Sequence, residues 1–70
     1  MEITFTFHAE CRIRGRGMFK EDVLLAIRNP DNTVRKYDKY YFQKRLPNGI
    51  LEVCCDKIEN NIKVITVYWV

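Results

Sequence analysis

The second half of the chain consists of strand-forming segments separated by turn signals, and this feature constrains the fold more than any other. Ile62 to Val70 is dense in β-branched and aromatic residues, which is typical of a central strand. Lys39 to Leu46 is a second strand candidate, and Pro47-Asn48-Gly49 after it is a hairpin turn signal. Ile50 to Asp56 predicts the returning strand, and Ile58 to Asn61 the next turn. The pattern indicates an antiparallel meander.

The chain begins with a short alternating segment. Ile3, Phe5 and Phe7 alternate with threonines, which predicts a half-buried strand with these three side chains on one face. The Thr6 hydroxyl is a suitable N-cap for a helix over residues 7–14, and the glycines of Gly15-Arg16-Gly17 should end that helix.

A second helix is expected next. Glu21 and Asp22 are acids of the kind that a first helical turn favours. Val23, Leu24 and Ile27 recur at helical spacing and form the predicted core stripe, with Ala26 beside them. Asn29-Pro30 should end the helix, since the residue before proline avoids helical geometry.

These elements define an α+β fold class. Residues 33–37 are a weaker strand candidate, which leaves β-α-α followed by an antiparallel meander of three to four strands, with both helices on one face. The 70 residues form a single domain, 1–70.

Composition and cysteine usage bear on location and cofactors. No apolar run approaches the ~20 residues of a membrane helix, and Met1 to Thr4 lacks the basic-then-apolar plan of a signal peptide. A cytoplasmic location without a membrane partner is therefore expected. Cys11, Cys54 and Cys55 are odd in number and lack a Cys-x-x-Cys spacing, which favours reduced thiols and neither a metal site nor a cofactor. A catalytic thiol at Cys11 is the alternative reading of that residue.

The charge is unevenly distributed along the chain. Residues 12–45 contain ten lysines and arginines against four acids, a net charge of +6, whereas the remainder carries −3, giving +3 in total. A basic middle with interleaved aromatic residues suits RNA or an acidic protein partner. Solvated surface charges would produce the same pattern.

The segment from Thr6 to Gly17 carries the clearest chemistry. At helical spacing His8, Arg12 and Arg16 lie four residues apart and form one ridge. The alternative for Arg16 is a position in the turn, because the glycines on both sides of it should end the helix. A histidine can transfer protons near neutral pH, and arginines bind phosphate through paired hydrogen bonds. The ridge therefore suits RNA binding and metal-free RNA cleavage. The alternative is a solvated helix face with a histidine used for capping or packing.

The order and spacing of several residues resemble a known family. They are Thr6, His8, Ala9, Arg12, Arg16, Gly17, Val23, Asn29, Pro30, Thr66, Val67 and Tyr68. The chain resembles small domains of unknown function of the DUF4258 type, which are related to the BrnT toxins and through them to the RelE-like ribonuclease toxins. Met18-Phe19-Lys20 departs from the family pattern because it lacks a serine or threonine cap for the second helix.

The resemblance implies a metal-independent ribonuclease toxin of a toxin–antitoxin system, with RNA and an antitoxin protein as partners and no direct contact with DNA. Fold resemblance alone does not secure an activity. The alternative is a non-catalytic basic module that docks a protein or RNA without cleaving it. The candidate catalytic residues are His8, Arg12, Arg16 and Tyr68, and the candidate RNA-binding residues are Arg14, Lys44 and Arg45.

Overall fold

The computed structural model describes all residues, 1–70, as two helices and five strands. In chain order they are β1 (Ile3–Phe5), α1 (Phe7–Gly15), α2 (Lys20–Arg28), β2 (Asn32–Lys36), β3 (Lys39–Leu46), β4 (Gly49–Ile58) and β5 (Asn61–Trp69). This is the predicted α+β class with the predicted element order. No helix is long and apolar enough to cross a membrane.

All five strands belong to one sheet in the order β1-β5-β4-β3-β2. The meander β2 to β5 is antiparallel, as predicted, but β1 adds to it in parallel beside β5, with Phe5 opposite Val64. The sheet is therefore mixed: the meander has four strands, within the three to four expected, and β1 is the fifth strand. Parallel strands need a long connection, and here it consists of both helices and the three strands β2, β3 and β4.

Both helices cover the same face of the sheet. The core between them and the strands is apolar, and its members are Ala9, Ile13, Met18, Val23, Ala26, Ile27, Phe42, Leu51, Val53, Cys55, Ile62, Val64 and Val67. Alternate residues of β4 and β5, such as Glu52 and Tyr68, lie on the other face, which no element of the chain covers. The molecule thus has a helix-covered face and an uncovered face.

Thr6 ends β1 and starts α1. Its hydroxyl accepts a hydrogen bond from the Ala9 backbone N–H (3.0 Å) and donates one to the Ile65 carbonyl oxygen (2.9 Å). The predicted cap is confirmed. The placement of Phe7 was wrong: Phe7 is the first helical residue, and 83% of it is exposed, because the strand alternation ends at the cap.

The turn between the helices contains a core residue that the sequence pattern did not identify. Arg16 caps the C-terminus of α1, and Gly17 has a φ of +63°, a backbone conformation that glycine adopts without steric cost. The backbone N–H of Met18 then bonds to the Ile13 carbonyl oxygen (2.9 Å), and Met18 is buried. The turn thereby folds α2 back onto α1.

The second helix has the expected ends and a shifted core stripe. Phe19 is its N-cap and makes no side-chain capping hydrogen bond, in agreement with the missing serine or threonine. Val23, Ala26 and Ile27 are buried, whereas Leu24 is only half-buried. Leu24 was wrongly included in the stripe and Ala26 was placed only beside it, because neighbouring positions on a helix differ in direction by ~100° and only the sheet decides which one is covered.

Candidate functional site

The exposed side of α1 brings together two of the predicted site residues. The Nε of Arg12 donates a hydrogen bond to Nε2 of His8 over 3.4 Å. His8 is exposed, and Arg12 is half-buried one helical turn further along. The helix spacing of four residues produces this pairing, as expected from the sequence. Because Nε2 accepts, the ring proton of neutral His8 lies on Nδ1 in this arrangement.

Arg16 and Arg14 extend the positive surface without continuing the ridge. Arg16 lies beyond the last helical residue, as the C-cap, with φ −109° and ψ 9°. The four-residue ridge therefore ends at Arg12, and Arg16 is exposed in the turn. Arg14 is also exposed, but a residue two positions from Arg12 lies on a different side of the helix. The four side chains form a basic helix end with one histidine, here called the α1 basic surface: His8, Arg12, Arg14 and Arg16.

Lysines, not arginines, make every ion pair in the structure. Lys20 binds Glu10 (2.6 Å), Lys39 binds Asp56 (2.6 Å), and Lys44 binds Asp31 (3.3 Å). The guanidinium groups of all six arginines are free of carboxylate partners. The uncompensated positive charge of the domain is therefore carried mainly by groups that can bind phosphate with paired hydrogen bonds.

Two predicted RNA-binding residues serve the fold through Asp31. The Asp31 carboxylate accepts a hydrogen bond from the Arg45 backbone N–H (2.8 Å) and one from the Lys44 ammonium (3.3 Å). These two hydrogen bonds, with the backbone bond the larger cause, lower the pKa of Asp31 from its ordinary value. Lys44 points to the helix-covered side, since it pairs with buried Leu51, and its charge is used in this contact. The Arg45 guanidinium remains exposed on a different part of the molecule from α1.

Tyr68 lies on the uncovered face and is not brought next to His8. Its hydroxyl donates a hydrogen bond to Glu52, its cross-strand partner. Burial, followed by the bond to the Glu52 carboxylate, raises the pKa of Tyr68 well above its ordinary value. A phenol held in this way keeps its own proton and points it at the Glu52 carboxylate, and the structure provides it with no link to the α1 basic surface.

The uncovered face carries a polar row that the sequence analysis did not identify. Asn32 donates to Gln43 (3.2 Å), Gln43 donates to Glu52 (2.6 Å), and Tyr68 donates to Glu52, so that the row crosses four adjacent strands. The alternation of Leu51, Glu52 and Val53 was a signal for it, because a charged residue between two buried ones must lie on the opposite face.

A shallow pocket of about 280 Å³ lies beside this row. It is lined by Val34, Lys36, Tyr37, Tyr41 and Glu52. Tyr37 belongs to the two-residue turn between β2 and β3 and has a φ of +54°, and 83% of it is exposed. Sequence reasoning had assigned no function to any of these residues.

The cysteines are free thiols, and only Cys11 is exposed. Cys54 and Cys55 are buried in β4, and burial raises the pKa of Cys55 to about 12. A thiol whose proton is held so tightly is a poor nucleophile. No group of three or more histidine, cysteine, aspartate or glutamate side chains is placed to hold a metal ion.

Comparison with known proteins identifies the family of the chain. No curated protein and no solved structure matches it. The sequence profile of the family described as "Domain of unknown function (DUF4258)" matches residues 5–69, from β1 to the last residue of β5. The match thus includes the α1 basic surface, both faces of the sheet and every helix. The chain belongs to the family of domains of unknown function DUF4258.

Proposed function

We propose that the α1 basic surface binds the phosphates of RNA and that His8 transfers the proton in a metal-independent cleavage of the RNA strand. The contact between His8 and Arg12 is the observation that supports this proposal, since it places a proton-transfer group and a guanidinium within 3.4 Å of each other on an exposed helix. The exposed Arg16, beyond the helix end, and Arg14, on another side of the same helix, supply further guanidinium groups for neighbouring phosphates of the strand.

The reaction proposed is attack of a ribose 2′-oxygen on the adjacent phosphorus. His8 takes the proton of the 2′-hydroxyl, the bond from phosphorus to the 5′-oxygen breaks, and water protonates the leaving 5′-oxygen. The products are a 2′,3′-cyclic phosphate and a free 5′-hydroxyl. Arg12 stabilises the charge that grows on the phosphate oxygens, which is the larger contribution in reactions of this kind.

The hydrogen bond between Arg12 and His8 must break before His8 can act as a base. The Arg12 N–H covers the Nε2 lone pair that a general base needs. Binding of a phosphate must therefore draw the guanidinium away from the ring before His8 can accept a proton. A charged phosphate is a stronger partner for Arg12 than a neutral imidazole, so this exchange is favourable when RNA is bound.

The occupied lone pair also favours a second candidate function, a non-catalytic module. In that case Arg12 and His8 dock an RNA backbone, or the acidic face of an antitoxin-like protein, without any chemistry. The four exposed or half-buried side chains of the surface suit either role. The two functions differ in what His8→Ala removes: cleavage in the first, and only a modest part of the affinity in the second.

An RNA cleavage assay in the presence of a chelator tests the proposal. His8→Ala should lower the cleavage rate roughly 10²–10⁴-fold and leave the melting curve in place, since His8 is exposed. Arg28→Ala is the matched control, because Arg28 is an exposed arginine at the end of α2. Cleavage products with a 2′,3′-cyclic phosphate are expected. Undiminished cleavage by His8→Ala would refute the catalytic role, and tight RNA binding without any cleavage would establish the non-catalytic module.

A further inference from the structure

The turn between β2 and β3 holds an aromatic side chain in an unfavourable backbone conformation. Tyr37 and Asp38 both have positive φ, +54° and +62°, in a two-residue hairpin turn. Such turns favour asparagine, aspartate or glycine, because a bulky side chain in the left-handed region costs roughly 1–2 kcal/mol. Tyr37 does not offset this cost by burial, since 83% of it is exposed. Strain of this kind, at an exposed residue that lines a pocket, points to a binding role.

The pocket beside Tyr37 combines aromatic, cationic and anionic groups. The Lys36 ammonium lies 5.4 Å from the centre of the Tyr37 ring, so a positive charge stands next to the aromatic surface. Tyr41 provides a second ring, and Val34 adds an apolar side chain. At about 280 Å³ the pocket is slightly smaller than the ~300–1,000 Å³ typical of small-molecule sites. The size of the pocket suits a single small molecule, its two aromatic rings suit a flat one, and the Lys36 ammonium suits one that carries a negative group.

Glu52 supplies the directional acceptor of the pocket. Gln43 donates to its Oε1 over 2.6 Å and Tyr68 donates to its other carboxylate oxygen, which holds the carboxylate in one orientation on the uncovered face. A carboxylate has about four lone-pair sites, so two remain for a ligand. Both carboxylate oxygens can therefore accept from two parallel N–H donors of one flat ligand.

We propose that this pocket binds a guanine nucleotide, with the base against Tyr37 and Tyr41, its Watson–Crick edge on Glu52 and its phosphate at Lys36. Guanine presents two adjacent donors, N1–H and the 2-amino group, to a carboxylate. Adenine and cytosine present a ring acceptor beside one amino group, and uracil presents one donor between two acceptors, so each of them places a lone pair against Glu52. Aromatic side chains that stack on a base, with hydrogen bonds to its edge, are the usual means of reading an unpaired nucleotide.

This site is independent of the proposed function. It lies on the uncovered face of the sheet, whereas α1 packs on the other face. His8→Ala should therefore leave guanine nucleotide binding unchanged, and failure of either proposal leaves the other standing.

Titration of the protein with 5′-GMP, 5′-AMP and inorganic phosphate, followed by backbone amide NMR, tests the site. GMP should bind saturably and about tenfold or more tightly than AMP, as a bidentate edge contact discriminates by this order. The shifted amides should cluster at residues 34–41 and around Glu52. Equal responses to GMP, AMP and phosphate, the absence of saturation, or shifts confined to α1 would each overturn the proposal.

Two variants separate stacking from edge recognition. Tyr37→Asn should weaken GMP binding about tenfold while keeping the fold, because asparagine tolerates positive φ. Glu52→Gln should abolish the preference for GMP over AMP. Phe19→Asn is the matched control: it removes another exposed aromatic ring, 67% exposed, at a helix N-cap that favours asparagine. GMP affinity that is unchanged in Tyr37→Asn would contradict the proposal.

The nucleotide can be free or part of an RNA strand, and a second titration distinguishes the two sources. The ligands are a uridine hexanucleotide with one central guanosine and the same oligomer with uridine throughout. Tighter binding of the guanosine oligomer than of both GMP and the all-uridine oligomer identifies a guanine in single-stranded RNA as the ligand, because the α1 basic surface would bind both oligomers alike. Equal or weaker binding identifies the free nucleotide. Indistinguishable binding of the two oligomers together with no GMP binding would overturn the site.

Discussion

The Nε of Arg12 lies 3.4 Å from Nε2 of His8 and donates a hydrogen bond to it on the exposed side of α1. This contact joins the only histidine of the chain to an arginine that has no carboxylate partner. The guanidinium is therefore held in place by a weak, neutral acceptor. An incoming phosphate offers it a stronger one, which makes the pair suitable for anion binding.

The planar group of Arg12 should matter more than its charge. We expect Arg12→Lys to weaken RNA binding several-fold, although the net charge is unchanged, because an ammonium cannot make the paired hydrogen bonds of a guanidinium. Arg28→Lys, at the far end of the other helix, should leave affinity unchanged. Titration of a fluorescent single-stranded RNA at low salt measures both. Equal affinities of the two variants would place the RNA elsewhere.

RNA binding by the α1 basic surface should depend on salt in proportion to its three arginines. About three phosphate contacts predict that the logarithm of the affinity falls with the logarithm of the salt concentration with a slope of roughly −2 for single strands. Arg14→Ala should reduce the magnitude of that slope by about 0.7. A slope near zero would show that the contact is not made to phosphates.

Substitutions along α2 should report the shifted core stripe. Ile27 is 6% exposed, Leu24 is half-buried and Leu25 is 41% exposed. Ile27→Ala should cost about 2–5 kcal/mol of the free energy of unfolding, Leu24→Ala less, and Leu25→Ala no more than about 0.5 kcal/mol. Urea denaturation of the three variants measures the order. A larger loss for Leu24→Ala than for Ile27→Ala would contradict the observed packing.

Thr6→Ala should destabilise the protein by about 2 kcal/mol. The substitution removes the helix cap on Ala9 and leaves the Ile65 carbonyl oxygen without the Thr6 donor. Thr4→Ala is the control, because Thr4 is exposed in the adjacent β1 and its side chain makes no hydrogen bond. Thermal melts compare the two, and similar melting temperatures would refute the double role of Thr6.

The lowered pKa of Asp31 predicts a specific acid sensitivity. Its hydrogen bonds to the Arg45 N–H and to Lys44 favour the charged carboxylate in the folded state. The stabilisation is complete above the ordinary aspartate value of 3.8 and is lost as the pH falls below it through the lowered folded pKa. Asp31→Asn should therefore be less stable than the wild type at pH 7, and the difference should shrink below about pH 4. A difference that does not change with pH would show that the charge of Asp31 does not contribute.

Local chemistry predicted much of the fold. Some residues affect only their near neighbours in the chain, so their effects could be derived from the sequence. Thr6 caps a helix with its side chain, Gly17 adopts a positive φ in a turn, and Pro30 restricts the backbone of the residue before it. The pairing of His8 with Arg12 is of the same kind, because it depends only on the helical period.

The candidate sites could be predicted only where one element carries them. Tyr68 was predicted to be a catalytic residue together with His8. Which residues far apart in the chain lie close together depends on the strand order, and Tyr68 contacts Glu52 on the uncovered face. Lys44 was assigned to RNA, yet the turn after α2 brings Asp31 to it. The residues that line the pocket at Tyr37 come from three strands and a turn, so no single segment of the sequence could indicate the pocket.

By itself, the sequence determined the order of the elements, the ends of both helices to within a residue and the exposed helix surface with His8 and Arg12, since caps, turns and periodicities act over a few residues. Only the tertiary structure decided that β1 pairs in parallel with β5. It also decided that Ala26, and not Leu24, is buried in the core. The hydrogen bonds from Gln43 and Tyr68 to Glu52 likewise depend on the arrangement of the strands. These outcomes depend on strand order and on which face the helices cover, and both are set by burying the largest apolar area of the whole chain at once.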